Sequence, residues 1–316
     1  MLKHSLVIPV YRNEASIDEL LAALRELDDT LGHSLEAVFV VDGSPDRCYE
    51  LLRERLPSSG LHAQLLLLSR NFGSFAAIRA GLEAATGDYF AVMAADLQEP
   101  TSLIFDFFQA LERGTADVAL GVRTGRDDPW TSRVSAGVFW GIYRRFVQSD
   151  VPPGGVDVFA CNRAFRDRLV ALEETNTSLV GQVIWLGFRR VFVPYARLPR
   201  KHGKSAWTLA RKLAYLTDSL FSFSDLPIRA LTLAGLGGLA LSAVLAMVVL
   251  VARIGGQIPI PGYTATLLTI VFFASLNAFG LGIIGGYTWR AYENVKRRPG
   301  AIVMSAQRFP DSQAKA

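Results

Sequence analysis

The stretch FAVMAADLQEP, residues 90–100, passes abruptly from apolar side chains to polar ones that suit a metal ion. Its polar part contains Asp96, Gln98 and Glu99. A carboxylate beside a second side-chain oxygen suits Mg2+, which binds few protein groups and shares the phosphates of its substrate. Asp96 and Gln98 alternate in a strand-like segment, so we expect both side chains to face one ion. The alternative is an ordinary strand-end turn in which Asp96 caps a helix that starts near Thr101.

Strand and helix patterns alternate along the first 120 residues. Apolar strands are predicted at 5–10, 35–42, 63–69, 88–93 and 117–122, with amphipathic helices near 16–31, 46–56, 73–85 and 101–113. Ser16, with Glu19 three residues later, is a candidate capping box for the first helix. Near-continuous apolar strands separated by helices predict a parallel sheet that is covered on both faces.

The polar sequences that end the first four predicted strands should meet at one edge of this sheet. They are PVYRNE, VDGSPD, SRNFGS and AADLQEP. Ligands of such sheets bind outside the carboxyl ends of the strands, so we expect a binding site there. Neither GxGxxG nor GxxxxGK(S/T) follows a predicted strand, which argues against a dehydrogenase and a P-loop enzyme. Cys48 and Cys161 form no disulfide or metal pattern, and we expect both to be reduced residues of a cytosolic domain.

Charge is distributed unevenly along the chain, whose formal net charge is +4. Residues 1–188 carry 17 Lys and Arg against 25 Asp and Glu, whereas residues 189–212 carry eight basic residues and no acidic one. No nucleic-acid-binding motif accompanies the basic stretch, so we expect no nucleic acid partner. Anionic lipid headgroups suit it better.

Two long apolar segments follow the basic stretch. No Asp, Glu, Lys or Arg occurs at 231–251, or between Arg253 and Arg290. Because about 20 apolar residues span a bilayer, we predict transmembrane helices near 230–252 and 264–288, with a buried helix pair as the alternative. Basic residues flank both segments on the outside of the pair, which predicts that both ends are cytoplasmic. Residues 206–226 predict an amphipathic helix on the membrane surface, or else a packed surface helix of the domain.

Seven motifs occur in series along the chain: VIPVYRNEASIDEL, VFVVDGSPD, LSRNFGSFAAIRAGLEAATGDY, AADLQEP, GVRTGR, GGVDVFACNR and RKHGKSAW. Together they resemble the polyprenyl-phosphate glycosyltransferases of glycosyltransferase family 2. That group includes dolichyl-phosphate mannose synthase and the bacterial enzymes that load glucose or aminoarabinose onto undecaprenyl phosphate. The likeness covers nearly the whole chain, because FSFSDLPIRAL and GLGIIGGYTWRAYENVKRRPG also resemble the bacterial members.

The resemblance implies a GT-A fold, an α/β fold with a Rossmann-like, mostly parallel sheet. Its first three strand ends would hold a nucleotide-sugar donor through Pro9, Tyr11, Glu14, Asp42, Arg70 and Gly73, with Asp42 reading the nucleoside, and Ala95 at the fourth strand end would join them. Asp96 would be catalytic and bind Mg2+ or Mn2+ with help from Gln98, and Asp157 would face the reacting centre. The acceptor phosphate or donor diphosphate would be held by Arg123, Arg133, Arg200 and Lys204.

The activity that the resemblance implies is an inverting transfer of one hexose-type sugar, from a UDP-sugar to undecaprenyl or another polyprenyl phosphate. The implied organisation is a cytoplasmic GT-A domain at 1–205, a juxtamembrane amphipathic helix at 206–228, a two-helix transmembrane hairpin at 229–289 and a basic tail at 290–316. The protein would be multi-pass in the inner membrane, in contact with the lipid bilayer, and relatives imply a homo-tetramer. A processive polysaccharide synthase would carry QxxRW, which the sequence lacks.

Several features depart from the family pattern, including Ser74 and Phe75 in place of a polar pair and Gly286 in place of a common Glu. Ala94 stands where the first aspartate of Asp-x-Asp is common, and Val41 stands where the first of two aspartates often precedes Gly-Ser. YRNE replaces YNE, which leaves either Asn13 or Glu14 for the polar role. A lost carboxylate should weaken metal binding without the donor, although a diphosphate brings negative charge of its own. The alternative function is therefore a degenerate homologue that binds a sugar nucleotide or lipid phosphate as a scaffold.

Overall fold

The computed structural model describes residues 2–124, 141, 143–145, 150, 152, 155–156, 158–174, 177–199, 201, 209–224, 226–255 and 262–310. The strands of its sheet are β1 (His4–Val10), β2 (Leu35–Val41), β3 (His62–Leu68), β4 (Tyr89–Val92), β5 (Val118–Arg123), β6 (Phe159–Asn162), β7 (Arg190–Tyr195) and β8 (Val303–Phe309). The first five lie where the sequence predicts them. β6 and β8 have no counterpart in the prediction.

The sheet is mixed, with strand order β7-β5-β6-β4-β1-β2-β3-β8. β1 pairs in parallel with β2 and β4, β2 with β3, and β5 with β7. Two strands run antiparallel to their neighbours: β6 lies between β4 and β5, and β8 covers the free edge of β3. The predicted parallel sheet is therefore confirmed for the strands that precede the polar loops.

Helices cover both faces of the sheet, as the apolar strand patterns predict. They are α1 (Ile17–Thr30), α2 (Cys48–Arg55), α3 (Ser74–Ala84), α4 (Thr101–Glu112), α5 (Arg163–Val170) and α6 (Leu179–Trp185). Leu24 of α1 and Phe107 of α4 belong to the buried cluster on one face. Ile78 of α3 and Phe165 of α5 belong to the cluster on the other face. The two clusters hold the strand ends in fixed positions for the loops that follow them.

The predicted capping box at the start of α1 is wrong. Ser16 Oγ donates to the carbonyl oxygen of Asn13 at 2.9 Å, and its side chain makes no capping hydrogen bond to α1. The cause is local, because a short 3-10 turn at Glu14–Ser16 leads directly into α1. Ser16 is buried there, so its hydroxyl turns back to the loop and fixes the segment after β1.

Three helices follow the domain near the predicted places: α7 (Leu209–Phe223), α8 (Leu226–Ile254) and α9 (Tyr263–Val295). Within the described ranges, no helix combines the length and apolar character that crossing a bilayer requires, so the two predicted spans are not confirmed. α7 packs on the N-terminus of α6, because Ser178 Oγ donates to Tyr215 Oη at 2.7 Å. Of the two alternatives predicted for this segment, the packed surface helix agrees with the side of α7 that contacts α6.

The chain after α9 returns to the sheet of the α/β domain. The predicted basic tail contains β8, which pairs with β3 from Ala63 to Leu68. Tyr49 of α2 and Ser305 of β8 add a side-chain hydrogen bond of 3.2 Å. The strand signal in this segment is weak, since much of β8 is exposed and it covers only an edge.

Candidate active site at the carboxyl ends of the parallel strands

The loops after β1 and β2 are joined by a set of hydrogen bonds that involve the main chain. Arg12 N donates to Ser44 Oγ at 2.8 Å, and Arg47 N donates to Glu14 Oε2 at 3.3 Å. Glu14 N donates to Asp46 Oδ2 at 3.3 Å, and Ser44 Oγ donates to the other oxygen of Asp46 at 2.6 Å. The predicted convergence of these two loops at one edge of the sheet is confirmed.

Asp42 connects the loop after β2 to the loop after β3. Its two carboxylate oxygens accept from the backbone N–H groups of Phe72 and Gly73 at 2.7 and 2.8 Å. Burial raises the pKa of Asp42, and the two backbone hydrogen bonds and the charge of Arg70 oppose that rise. Asp42 therefore fixes the third loop, a contact that the sequence prediction of a nucleoside-reading residue does not include.

Gly43 allows the same two loops to approach each other closely. Its φ is +55°, and a Cβ atom there would lie 2.3 Å from Arg70 C and 2.5 Å from Asn71 N. Both neighbours are backbone atoms, so a side chain at residue 43 must push the third loop outward.

We expect Gly43→Ala to weaken binding of a nucleotide donor by more than about tenfold, because the side chain would push the third loop outward. A tenfold loss of affinity corresponds to about 1.4 kcal/mol of strain or lost contact. Calorimetry of UDP binding to the full chain measures this effect. Gly114→Ala is the matched control, since Gly114 has a φ of +68° with nothing within 4 Å of a Cβ atom. An equal loss in both variants would show that the φ angle alone, and not the loop contact, is responsible.

Asp96 lies on a turn beyond the end of β4, half-buried at the same edge of the sheet. Leu97 has a φ of +53°, and Gln98 N donates to Asp96 Oδ1 at 3.3 Å. The strand-like alternation predicted for Asp96 and Gln98 is therefore wrong, because β4 ends at Val92 and a turn follows it. A left-handed conformation costs a residue with a side chain about 1–2 kcal/mol, so the surrounding contacts must hold this turn.

Those contacts come from both ends of the turn. Glu99, 2% exposed, accepts a hydrogen bond from Ala94 N at 3.2 Å. Gln98 Oε1 accepts from the guanidinium of Arg197 at 2.6 Å, and Leu198 N donates to the carbonyl oxygen of Gln98 at 2.9 Å. Gln98 Oε1, which was predicted to help Asp96 bind a metal ion, thus accepts a hydrogen bond from the positively charged guanidinium of Arg197 in this structure.

The protein groups at this turn suit a metal ion whose remaining coordination positions are filled by the substrate. No group of three His, Cys, Asp or Glu side chains able to hold a metal occurs in the part of the chain that the structure describes. Mg2+ usually binds through one or two carboxylates and keeps its other positions for water and substrate phosphates. The carboxylate of Asp96 would meet that need if a diphosphate were present.

Several other predicted site residues lie at or near the same edge of the sheet. Arg70 follows β3, with its guanidinium 3.9 Å from the ring centre of Phe72. Arg123 is the last residue of β5. Pro9 is in β1, Tyr11 follows that strand, and Ala95 is buried in the turn before Asp96.

Four predicted site residues lie outside the described residues: Arg133, Asp157, Arg200 and Lys204. Their predicted roles beside the acceptor phosphate and the reacting centre therefore stay predictions.

Part of the basic stretch 189–212 pairs with aspartates of the α/β domain. Arg189 makes two hydrogen bonds of 2.9 Å to Asp117, and Arg190 contacts Asp150 at 3.1 Å. Hydrogen bonds from Arg189 lower the pKa of Asp117 to about 2. These two arginines are therefore less available to lipid headgroups than the sequence suggests.

No structural role was predicted for Ser44, Asp46, Glu99 and Arg197, which organise the site. Ser44 and Asp46 lie in VDGSPD and Glu99 lies in AADLQEP, so their motifs carried a signal. Arg197 carried none, because it meets Gln98 across 99 positions of the chain.

A mostly parallel sheet with helices on both faces and polar loops at its carboxyl edge defines an α/β domain of the GT-A type. The family model for glycosyl transferase family 2 matches residues 5–171, more than half of the chain. The chain belongs to this family and is a glycosyltransferase, which confirms the resemblance seen in the motifs.

Three relatives show how far the similarity extends. The chain is 32% identical to an undecaprenyl-phosphate 4-deoxy-4-formamido-L-arabinose transferase of Pseudomonas paraeruginosa, over 93% of this chain and 87% of that protein. It is 31% identical to a glycosyltransferase of Synechocystis sp., over 93% and 92% of the two chains. It is 28% identical to a prophage-derived bactoprenol glucosyl transferase of Shigella flexneri, over 97% and 99%. The similarity therefore includes the helices that follow the α/β domain.

Among solved structures, a mannosyltransferase from Pyrobaculum calidifontis in complex with GDP-Man and Mn2+ is similar to this chain. The identity is 18%, the TM-score is 0.46, and the alignment covers 91% of this chain and 87% of the other.

Proposed function

We propose that this protein transfers a single hexose-type sugar, with inversion, from a UDP-sugar to undecaprenyl phosphate at the cytoplasmic face of the membrane. The observation that carries the proposal is the position of Asp96, half-buried at the sheet edge where the loops after β1, β2 and β3 are fixed together. The names of two relatives, an undecaprenyl-phosphate arabinose transferase and a bactoprenol glucosyl transferase, support the acceptor class.

Asp96 is the residue that would hold Mg2+ or Mn2+ beside the donor diphosphate. When bound, the ion neutralises negative charge on the departing nucleoside diphosphate. Gln98 would first have to give up its contact with Arg197 to act as a second ligand. The proposal therefore assigns the metal to Asp96 and leaves Gln98 in a supporting role.

The chain has little covalent chemistry to perform in this reaction. The phosphate of the lipid is already an anion, so it can attack the anomeric carbon without first losing a proton. The catalytic contribution is then alignment of the two substrates and stabilisation of the charge on the leaving group. We assign orientation of the sugar, or support of its developing positive charge, to Asp157. The cationic part is assigned to Arg123, Arg133, Arg200 and Lys204.

Contact with lipid explains the exposed apolar side chains of the last two helices. Large apolar residues of α8 and α9 are exposed, among them Leu233, Val244, Met247, Ile270 and Phe279. Exposed apolar surface of this extent marks a contact with another apolar phase. An acceptor whose tail stays in the bilayer must be met at the membrane surface, so we propose that α8 and α9 hold the domain against the membrane.

Transfer of radiolabel tests the proposed reaction. The purified full chain is incubated with radiolabelled UDP-sugars, undecaprenyl phosphate and either Mg2+ or Mn2+, and the lipid is extracted into chloroform. The proposal predicts metal-dependent label in the chloroform phase with at least one donor. Binding of UDP without chloroform-soluble label from any donor would instead favour a scaffold, which the residues Ala94 and Val41 make the second candidate.

Membrane association has a separate test. We expect the full chain to float with liposomes that contain anionic lipid and to stay with them at high salt, because apolar burial is not screened whereas surface charge is. Release of most of the protein by salt would show that charge alone holds it to the membrane and would contradict the role of α8 and α9.

A further inference from the structure

Arg197 reaches the turn of Asp96 from a distant segment of the chain. It lies two residues beyond the end of β7, and its guanidinium donates to Gln98 Oε1 at 2.6 Å. The main chain of the same segment adds a second contact, in which Leu198 N donates to the carbonyl oxygen of Gln98 at 2.9 Å. A longer hydrogen bond of 3.4 Å runs back from Gln98 Nε2 to the carbonyl oxygen of Leu198. Both the side chain and the main chain of Gln98 are therefore fixed by the segment after β7.

The contact between Arg197 and Gln98 affects the position of Asp96, because the turn that joins Asp96 to Gln98 is short and strained. Gln98 N donates to Asp96 Oδ1, and Leu97 between them has a φ of +53°. Strained backbone persists where the surrounding structure over-determines it. Gln98 is 8% exposed, so its position depends on protein contacts more than on solvent. Fixing Gln98 consequently restricts where the carboxylate of Asp96 can point.

The charge of Arg197 also affects whether the side chain of Gln98 can coordinate a metal ion. An amide oxygen that accepts a hydrogen bond from a guanidinium is a poor ligand for a divalent cation, since two positive groups would then compete for it and repel each other. The contact therefore favours a structural use of the Gln98 side chain over metal coordination.

We propose that Arg197 is a positioning residue for the nucleotide donor: by holding Gln98 it keeps the turn of Asp96 in the conformation that receives a metal-bound diphosphate. The proposal rests on the proposed function, because it assigns a role within that donor site.

The first test needs no ligand. Hydrogen exchange of the full chain in detergent micelles is compared for the unsubstituted protein, Arg197→Ala and Arg113→Ala. Arg113 is the matched control, because its guanidinium also donates to a glutamine oxygen, that of Gln109, at 3.4 Å on an exposed surface. Arg197→Ala should increase exchange of the backbone amides of residues 94–99 at least about tenfold, which corresponds to about 1.4 kcal/mol, and Arg113→Ala should not. Unchanged exchange in Arg197→Ala would overturn the proposal whatever the protein binds.

The second test separates positioning from direct binding. UDP is titrated into each variant with and without Mn2+. Arg197→Ala should weaken binding about tenfold with Mn2+ and leave binding without metal unchanged, and Arg197→Lys should recover part of the loss. Gln98→Ala should produce the same loss, and the double variant should lose no more than either single one, because both act through one contact.

Other results have distinct meanings. Equal weakening with and without Mn2+, or additive losses in the double variant, would overturn the positioning role and leave the proposed function in place. Tighter Mn2+-dependent binding by Arg197→Ala would also overturn it, since it would show that Arg197 restrains Gln98 from the metal. Failure of the unsubstituted chain to bind UDP under any condition would overturn the proposed function together with this inference.

Discussion

Replacing Asp96 with alanine should lower sugar transfer by about 10²–10³-fold, to the limit of a radiolabel assay. The substitution removes the carboxylate proposed to hold the divalent cation, and a neutral side chain there leaves the charge of the departing diphosphate uncompensated. Asp96 is half-buried and accepts a hydrogen bond of 3.3 Å from Gln98 N, so we expect the fold to survive the change. Initial rates of label transfer at saturating donor and metal measure the effect.

Asp106→Ala is the control for this substitution. Asp106 is an exposed aspartate of α4 and lies outside the turn. It should retain the full rate of transfer. Activity of Asp96→Ala close to that of the control, at saturating metal, would remove Asp96 from the mechanism.

The largest loss of stability is expected at Glu36, away from the proposed chemistry. Glu36 is buried in β2, and its carboxylate accepts four hydrogen bonds, from Ser5 Oγ, Gln64 Nε2 and both the backbone N–H and the hydroxyl of Thr86, at 2.6–2.8 Å. Glu36→Ala leaves buried donors without an acceptor, which costs about 1–3 kcal/mol for each donor that finds no other partner. Domains of this kind are stable by about 5–15 kcal/mol, so the variant should be close to unfolding.

The pH dependence of this effect has a definite sign. Burial acts to raise the pKa of Glu36, but the hydrogen bonds from Ser5, Thr86 and Gln64 together outweigh it and hold the pKa below its usual value. A carboxyl whose pKa is lowered by folding stabilises the protein above its unfolded pKa, about 4.3, and loses that effect as the pH falls through the folded pKa. The difference in stability between the unsubstituted chain and Glu36→Ala should therefore shrink below about pH 4.

Chemical denaturation of the full chain in detergent measures both quantities. Glu26→Ala is the control, because Glu26 is an exposed glutamate of α1 and should change the free energy of unfolding by less than about 0.5 kcal/mol. A loss below about 1 kcal/mol for Glu36→Ala at neutral pH would contradict the buried network.

The first half of the fold could be predicted from the sequence because its strands are apolar along most of their length. A run such as LEAVFVV is buried throughout, and it lies between helical patterns, so its type and position follow from periodicity. β6 and β8 lack that signal. β6 has four residues, and β8 is a largely exposed edge strand that pairs with β3 only because the chain returns after α9.

The site was predictable where one motif supplies both the residue and its neighbours. The position of Asp96 at the sheet edge followed from the end of a predicted strand. The geometry around it did not, because the turn at Leu97 and the contact of Gln98 with Arg197 depend on backbone conformation and on chain segments far apart in sequence. Asp42 shows the same limit: its motif indicated a polar site residue, and only the fold brings two backbone amides of the third loop to its two oxygens.

A structure of the full chain with a non-hydrolysable UDP-sugar analogue and Mn2+ tests the central claim most directly. Anomalous scattering at the manganese edge locates the ion independently of the protein atoms. The account predicts one manganese peak that contacts both the carboxylate of Asp96 and the diphosphate. A fully occupied donor with the Asp96 carboxylate turned away, and no manganese beside the phosphates, would contradict it.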